Sequence, residues 1–396
     1  MDPTAARTVA ISRSVSNSDE FFDAPTYSDW IRATMRAARS VDGAAVLFES
    51  TISEPTTDLV EIIRDAFSLR VTSRFVSAFD GGNPFTTEAL CRRYGVEADR
   101  LIATTGATSA ISMIVRALTA PGDHVLVECP TLDLLSQLVR DAGAIVEDLP
   151  RPAPLFRIDP ETLRGKLTRR TRLVLITNLH NPSGALLSPS ELQALAAVAG
   201  EVDALLVVDE VYADFAREAY SVPAAALAPN IITVNSLTKV FGLFALKCGW
   251  LIAQPEVVRR IRKAAPEGDL GVSKLAHAVA AHALESSEVF EAHWKRILAS
   301  TRPVMRRCAK AMVEARLIDG EVPSYGCMYF PRVVGVEDTR ALCKTLWREF
   351  GLLVAPGEYF GAPGHIRIGF GTADPQLEPG LERLGSALTV IRNAAR

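Results

Sequence analysis

Lys239 sits just past a short apolar run, in Ser236-Leu237-Thr238-Lys239, and is followed by Phe241-Gly242-Leu243. A lysine amine so placed can form a Schiff base with a carbonyl compound and then carry a proton. Asp209 follows Leu205-Leu206-Val207-Val208. That puts a carboxylate at the mouth of a buried strand, where it can stabilise a nearby positive charge. Asn181-Pro182-Ser183-Gly184 reads as a turn, and its Asn181–Pro182 bond is a candidate for the cis isomer. Gly106-Ala107-Thr108 stands at the start of a helical pattern. Backbone N–H groups at a helix start bind phosphate well, small residues let it approach, and the Thr108 hydroxyl adds a donor. Arg367 lies within the apolar stretch His365–Phe370, and a guanidinium pairs well with a carboxylate.

These residues need a scaffold that brings distant segments together. Ala107–Leu118 carries Ile111, Ile114, Val115 and Leu118 at helical spacing, and Pro121-Gly122-Asp123 ends it. His124–Cys129, Leu173–Thr177, Ala204–Val208 and Ile231–Val234 are short continuous apolar runs, the pattern of strands covered on both faces, and Pro189–Val198 is a helix between two of them. Strand, helix, strand in series implies a mainly parallel sheet with right-handed crossovers. Its ligands are expected at the carboxyl ends of the strands, where Pro130-Thr131, Asn181-Pro182, Asp209-Glu210 and Ser236 fall. A long helical stretch is expected over 274–315, then Arg340–Phe350 as a helix, Leu352–Ala355 and His365–Phe370 as strands, and Leu381–Arg392 as a closing helix. The expected fold is therefore α/β: a three-layer large domain around a mostly parallel sheet, with a smaller α+β domain. The expected division is a flexible lead-in over 1–20, an N-terminal segment of the small domain over 21–55, the large domain over 56–284, and the small domain over 285–396.

The series Asn181-Pro182-Ser183-Gly184, Asp209-Glu210-Val211-Tyr212, Ser236-Leu237-Thr238-Lys239 and Ile366-Arg367-Ile368-Gly369, in that order, resembles the signature of fold type I pyridoxal-5′-phosphate (PLP) enzymes of the class I/II aminotransferase family. The resemblance covers roughly Ser53 to Gly369. It implies PLP as the cofactor, joined to Lys239 as a Schiff base, with Asp209 beside the pyridine nitrogen. Asn181 and Tyr212 are implied at the phenolic oxygen. Gly106, Ala107, Thr108 and Ser236 are implied at the phosphate. Arg367 is implied at the substrate α-carboxylate, with Asn181 and Ser53 beside it. The implied activity is aminotransfer between an α-amino acid and a keto acid. The resemblance also reaches relatives that perform elimination, cyclisation or oxidative chemistry. His180–Gly184 and Arg367–Phe370 look like the arginine-cyclising capreomycidine synthases, which makes a specialised enzyme of natural-product biosynthesis the alternative.

The pattern is broken at three places. Lys247-Cys248-Gly249 stands where the family usually has arginine in R-x-G, so the phosphate would meet a point charge in place of a fork. Leu132, in Pro130-Thr131-Leu132, stands where the family often stacks an aromatic ring on the cofactor; it covers the ring without a π face. The region Arg74–Gly82, where a partner subunit's tyrosine often reaches the phosphate, has Phe75 and Phe79 but no tyrosine.

Composition agrees with a small-molecule enzyme. The 396 residues contain 43 Lys and Arg against 46 Asp and Glu, a net charge of −3, which leaves no footprint for nucleic acid or an acidic membrane. No apolar run reaches the length of a membrane span, and the first twenty residues carry no signal-peptide core. Six scattered cysteines form no C-x-x-C pair, so no metal site is expected and a reducing cytoplasm fits. The family resemblance implies a homodimer.

Overall fold

A computed structural model of the chain describes residues 19–76, 82–264, 271–373 and 375–394. The expected lead-in lies outside these residues except for Asp19 and Glu20, and so does Phe79. Asp19 is not part of a loose lead-in: it is buried, and its carboxylate pairs with Arg348 at 2.7 Å.

The described residues build one seven-stranded sheet. Its strands are β1 (Leu101–Thr104), β2 (His124–Cys129), β3 (Ile145–Pro150), β4 (Thr171–Thr177), β5 (Leu205–Asp209), β6 (Ile231–Ser236) and β7 (Gly249–Ile252), in the spatial order β1-β7-β6-β5-β4-β2-β3. The pairings β2–β3, β2–β4, β4–β5 and β5–β6 are parallel, while β7 runs antiparallel to β1 and β6. The apolar runs are continuous because both faces are covered. On one face Val125, Val127, Leu173 and Leu175 pack with Ile114, Val115 and Val139 of the helices Ala107–Leu118 and Asp133–Asp141. On the other, Leu126, Val174 and Ile176 pack with Leu192, Leu195 and Ala199 of the helix Pro189–Gly200. The fold is the three-layer α/β arrangement expected from the sequence. Three strands escape a periodicity reading. β3 is an edge whose Glu147 and Asp148 meet solvent, and β1 and β7 are only four residues each.

The helical stretch over 274–315 is two helices, Lys274–Glu285 and Ser287–Glu314, because Ser286 leaves helical geometry (φ −112°, ψ 37°). The run Leu352–Ala355 likewise divides. Leu352–Leu353 pairs in parallel with Ala45–Val46, whereas Ala355–Pro356 pairs antiparallel with Ile366–Gly369, whose other edge carries Met328–Tyr329. The segment around Leu47 therefore belongs to the C-terminal layer: its amide donates to Leu353 at 2.8 Å, and its carbonyl accepts from Gly369 at 2.7 Å.

The loops after β2, β4, β5 and β6 converge on one edge of the sheet. The Asn181–Pro182 bond is trans, contrary to expectation; the cis bonds are Cys129–Pro130, Ala153–Pro154 and Asn178–Leu179. The turn closes without a cis proline there. Gly184, at φ +76°, donates its amide to the His180 carbonyl at 2.7 Å, and the His180 amide donates to Ala185 at 2.8 Å.

Gly369 is where the Glu49 backbone comes closest, and a Cβ added there would overlap the Glu49 carbonyl. Gly369→Ala should therefore destabilise the protein by about 1–3 kcal/mol, read as a lower urea midpoint with an unchanged slope.

Candidate active site

At that sheet edge lies a cavity of about 700 Å³. Gly106, Ala107, Thr108, Leu132, Asn181, Asp209, Tyr212, Ser236, Lys239, Lys247 and Arg367 all line it, although 261 positions separate the first from the last. Tyr27, Ser28, Ile31, Met35 and Arg39 of the helix Tyr27–Ala38 and its end form the outer wall.

Lys239 follows β6 in a loop stitched to the N-terminal segment, where the Ile52 amide donates to the Lys239 carbonyl at 3.1 Å. Its ammonium has no hydrogen-bond partner among the described residues and stands 5.9 Å from the centre of the Tyr212 ring. Burial, with a smaller contribution from the Arg367 charge, lowers its proton affinity from the usual lysine range. Asp209 ends β5. Burial first, and the Glu128 carboxylate in lesser part, pushes its pKa up to about 6, although the Val211 amide donates to it at 3.1 Å. It makes no ion pair among the described residues. A desolvated carboxylate beside a desolvated amine is the arrangement from which acid–base chemistry at neutral pH is built.

Arg367 is 1 % exposed yet pairs with no carboxylate among the described residues. Its guanidinium donates to the Asn181 side-chain oxygen at 3.0 Å, the Phe48 carbonyl at 3.1 Å and the Tyr27 hydroxyl, while Nε finds no acceptor. The rings of Phe360 and Tyr27 flank it at 4.9 and 5.1 Å. A buried cation with spare donors calls for an anion. Tyr212, also buried, shares a hydrogen bond of 2.9 Å with the Ser50 hydroxyl, and burial raises its proton affinity.

The opposite end of the cavity suits a second anion. The helix Ala107–Leu118 begins after Gly106 (φ +108°), whose conformation only glycine adopts freely and which supplies no capping side chain. The first amides of that helix are therefore open, and the positive end of its dipole faces the cavity. The buried Ser236 and the exposed Lys247 complete this end. Lys247 is in the left-handed region (φ 47°), with its ammonium 3.5 Å from the centre of the Phe244 ring. An anion end, a carboxylate without a cation, an amine without a partner and a guanidinium without a carboxylate fit a phosphorylated aldehyde with a basic ring nitrogen, together with a carboxylate-bearing substrate.

Some expectations fall elsewhere. Ser53 does not line the cavity: its hydroxyl accepts from the Ala373 amide at 3.1 Å and its carbonyl from His293 at 2.9 Å. Glu49, Ser50 and Thr51 line it instead, so the segment is offset by a few residues. Arg74 pairs with Glu285 at 3.1 Å and is not at the cavity. Cys327, Met328 and Tyr329 are core. Glu210 turns away from the cavity toward Tyr220 and the Ala224 amide, and its pKa rises, through burial, to about 8. Tyr27, Ser50 and Thr177 also line the cavity and were not singled out in the sequence, since a lone hydroxyl residue carries no local pattern. His180 is buried and neutral, its proton affinity lowered by burial. Its two ring nitrogens contact Ser183 Oγ at 2.6 Å and the Pro130 carbonyl at 2.7 Å, which ties the Asn181 turn to the Leu132 loop.

Comparison with known proteins agrees with this geometry. Residues 53–384 match the family described as aminotransferase class I and II. The chain is 32% identical over 292 residues to capreomycidine synthase of Streptomyces vinaceus, covering 73% of this chain and 74% of that one. It is 28% identical over 352 residues to aspartate/prephenate aminotransferase of Thermus thermophilus, covering 85% and 90%. The solved structure of Thermus thermophilus aspartate aminotransferase with maleate superposes with a TM-score of 0.80 at 25% identity, covering 95% of this chain and all of that one.

The elevated Asp209 pKa has a measurable consequence in cofactor-free protein. Below about pH 4 the carboxyl is protonated in both folded and unfolded chains. Between about 4 and 6 only the unfolded chain releases the proton, so this group's contribution to stability is lost as pH rises to about 6. Asp209→Asn should therefore match the native protein in denaturant stability at pH 4. At pH 7 it should exceed it, by up to about 3 kcal/mol.

Proposed function

With the chain a member of the class I and II aminotransferase family, and so a PLP-dependent transferase, we propose that it transfers the amino group of an α-amino acid to a keto acid at the Lys239 cavity. The observation that carries this reading is Arg367, a buried guanidinium with no carboxylate partner among the described residues, on the same cavity as Lys239 and Asp209. PLP, when bound, supplies an aldehyde that condenses with amines and a protonated ring that withdraws electrons from them.

The chain's own residues do the rest. The open amides after Gly106, with Thr108, Ser236 and Lys247, hold the phosphate. Asp209 keeps the ring nitrogen protonated, and the cation it faces offsets its own burial. Asn181 and Tyr212 would meet the phenolic oxygen, and Leu132 would cover the ring. Arg367 holds the α-carboxylate and so orients the substrate. Lys239 Nζ, its proton affinity already lowered, would take the proton from the substrate α-carbon and hold it for return. The wall of Tyr27, Ile31 and Met35 with Leu135 and Leu138 keeps water away from that transfer.

Our reading also divides the chain into a large domain over 56–284 and a small domain over 285–396 that takes in 21–55; the pairing of Ala45–Val46 with Leu352–Leu353 supports it. It makes the protein a cytoplasmic homodimer with amino acids and keto acids as partners. No helix among the described residues is long and apolar enough to cross a membrane. A cyclising or eliminating reaction is the second reading, favoured by the 32% identity to capreomycidine synthase and by Leu132 at the ring position.

A panel of amino acids, L-arginine included, mixed with the pure holoenzyme separates the two. Aminotransfer should convert the cofactor from its aldehyde to its amine form, and mass spectrometry should find the keto acid. A cofactor returned to the aldehyde form, with either a cyclised product that keeps its α-nitrogen or a keto acid released together with free ammonia, would establish the second reading. Lys239→Ala should lose turnover by 10³-fold or more, and borohydride should no longer fix the cofactor to the chain.

A further inference from the structure

Behind the cavity lies an ion pair with no part in the scheme above. Glu128 on β2 and Arg151 just after β3 have fully buried side chains, 2.5 Å apart. Arg151 also donates to the carbonyls of Phe156 at 2.5 Å and Thr177 at 2.9 Å. The other oxygen of Glu128 accepts from the Thr177 amide at 2.8 Å, the Thr177 hydroxyl at 2.5 Å and the Thr131 hydroxyl at 3.4 Å. Burial raises the proton affinity of Glu128, while the Arg151 guanidinium and the Thr177 donors act in the opposite sense.

Glu128 Oε1 accepts from the Thr177 amide, and the Thr177 hydroxyl directs its single proton to the same oxygen. The hydroxyl lone pairs are then free for the Asn181 amide, which donates to them at 3.0 Å. Asn181 accepts in turn from Arg367 at 3.0 Å. Hydrogen bonds thus run from Arg151 through Glu128 and Thr177 to the Asn181 backbone amide, and the side chain of the residue so fixed accepts from Arg367. Buried ion pairs are often neutral or unfavourable for stability compared with apolar residues, so stability alone is a poor account of this one.

We propose that Glu128, held by Arg151, is the positioning residue for the carboxylate anchor: its carboxylate accepts from the Thr177 hydroxyl and fixes it, and Thr177 and Asn181 pass that orientation to Arg367. The proposal rests on reading Arg367 as the anchor. It adds that the anchor's geometry is set from the carboxyl ends of β2 and β3, by Glu128 and Arg151, which do not line the cavity.

The test is the dissociation constant of maleate, a non-reacting dicarboxylate, for the holoenzyme, read from cofactor absorbance, with melting curves to verify folding. Thr177→Val keeps the shape and removes the hydroxyl; it should weaken maleate binding about tenfold. Thr177→Ser restores the hydroxyl and should return affinity to within about twofold of the native protein. With an amino-acid substrate, the valine variant should raise KM more than it lowers kcat. Native affinity in Thr177→Val, or a loss that serine does not rescue, overturns the relay. Should the valine variant not fold, Thr177→Ala against Thr177→Ser gives the same comparison. If Arg367→Lys leaves maleate binding unchanged, or the native holoenzyme shows no saturable response, the anchor reading itself fails. If Arg367→Lys loses binding and Thr177→Val does not, the relay alone fails.

Discussion

Two charged groups face the cavity without an ionic partner among the described residues: the half-buried Asp209 carboxylate at the end of β5 and the buried Arg367 guanidinium on a strand of the C-terminal layer. Each is expensive to bury alone. The packed sheet, and the aromatic rings of Tyr27 and Phe360 around the guanidinium, impose that isolation. The remaining features of the cavity follow from it, since a site holding an unmatched anion and an unmatched cation is complementary to a ligand carrying both charges in the opposite order.

That complementarity costs stability in the empty protein, as expected where function and folding make opposite demands on one residue. The cost is contained by rigid surroundings. β5 lies inside the sheet between β4 and β6, so Asp209 cannot relax toward water without disrupting both pairings. Arg367 is fixed by three acceptors from three segments: Tyr27, Phe48 and Asn181. Two of these belong to the N-terminal stretch, so the position of the guanidinium depends on the packing of that stretch.

The departures from the family pattern lie where the scaffold exerts less control. Lys247 is exposed and in left-handed geometry, and Leu132 begins a helix at the cavity edge. Both belong to the walls of the cavity and neither to the Asp209–Arg367 framework. Changes there alter the shape and charge of the cavity walls, and leave the Asp209–Arg367 framework in place.

The sequence by itself determined the elements and the local chemistry. The helix Ala107–Leu118 and strand His124–Cys129 are bounded as their periodicity dictates, because hydrophobic spacing and proline or glycine stops act over a few residues. The motifs around Asn181, Asp209, Lys239 and Arg367 were legible because each combines a reactive side chain with a turn or strand end. Only the tertiary structure decided what those residues face. It moved the N-terminal contribution from Ser53 to Glu49, Ser50 and Thr51, brought Tyr27 to Arg367, and placed the Arg151–Glu128–Thr177 network beneath Asn181. It also left Asn181–Pro182 trans. None of these is encoded in a local pattern. Hydroxyl partners and buried ion pairs depend on which distant segments share a dry interior, and that is set by the packing of the whole chain.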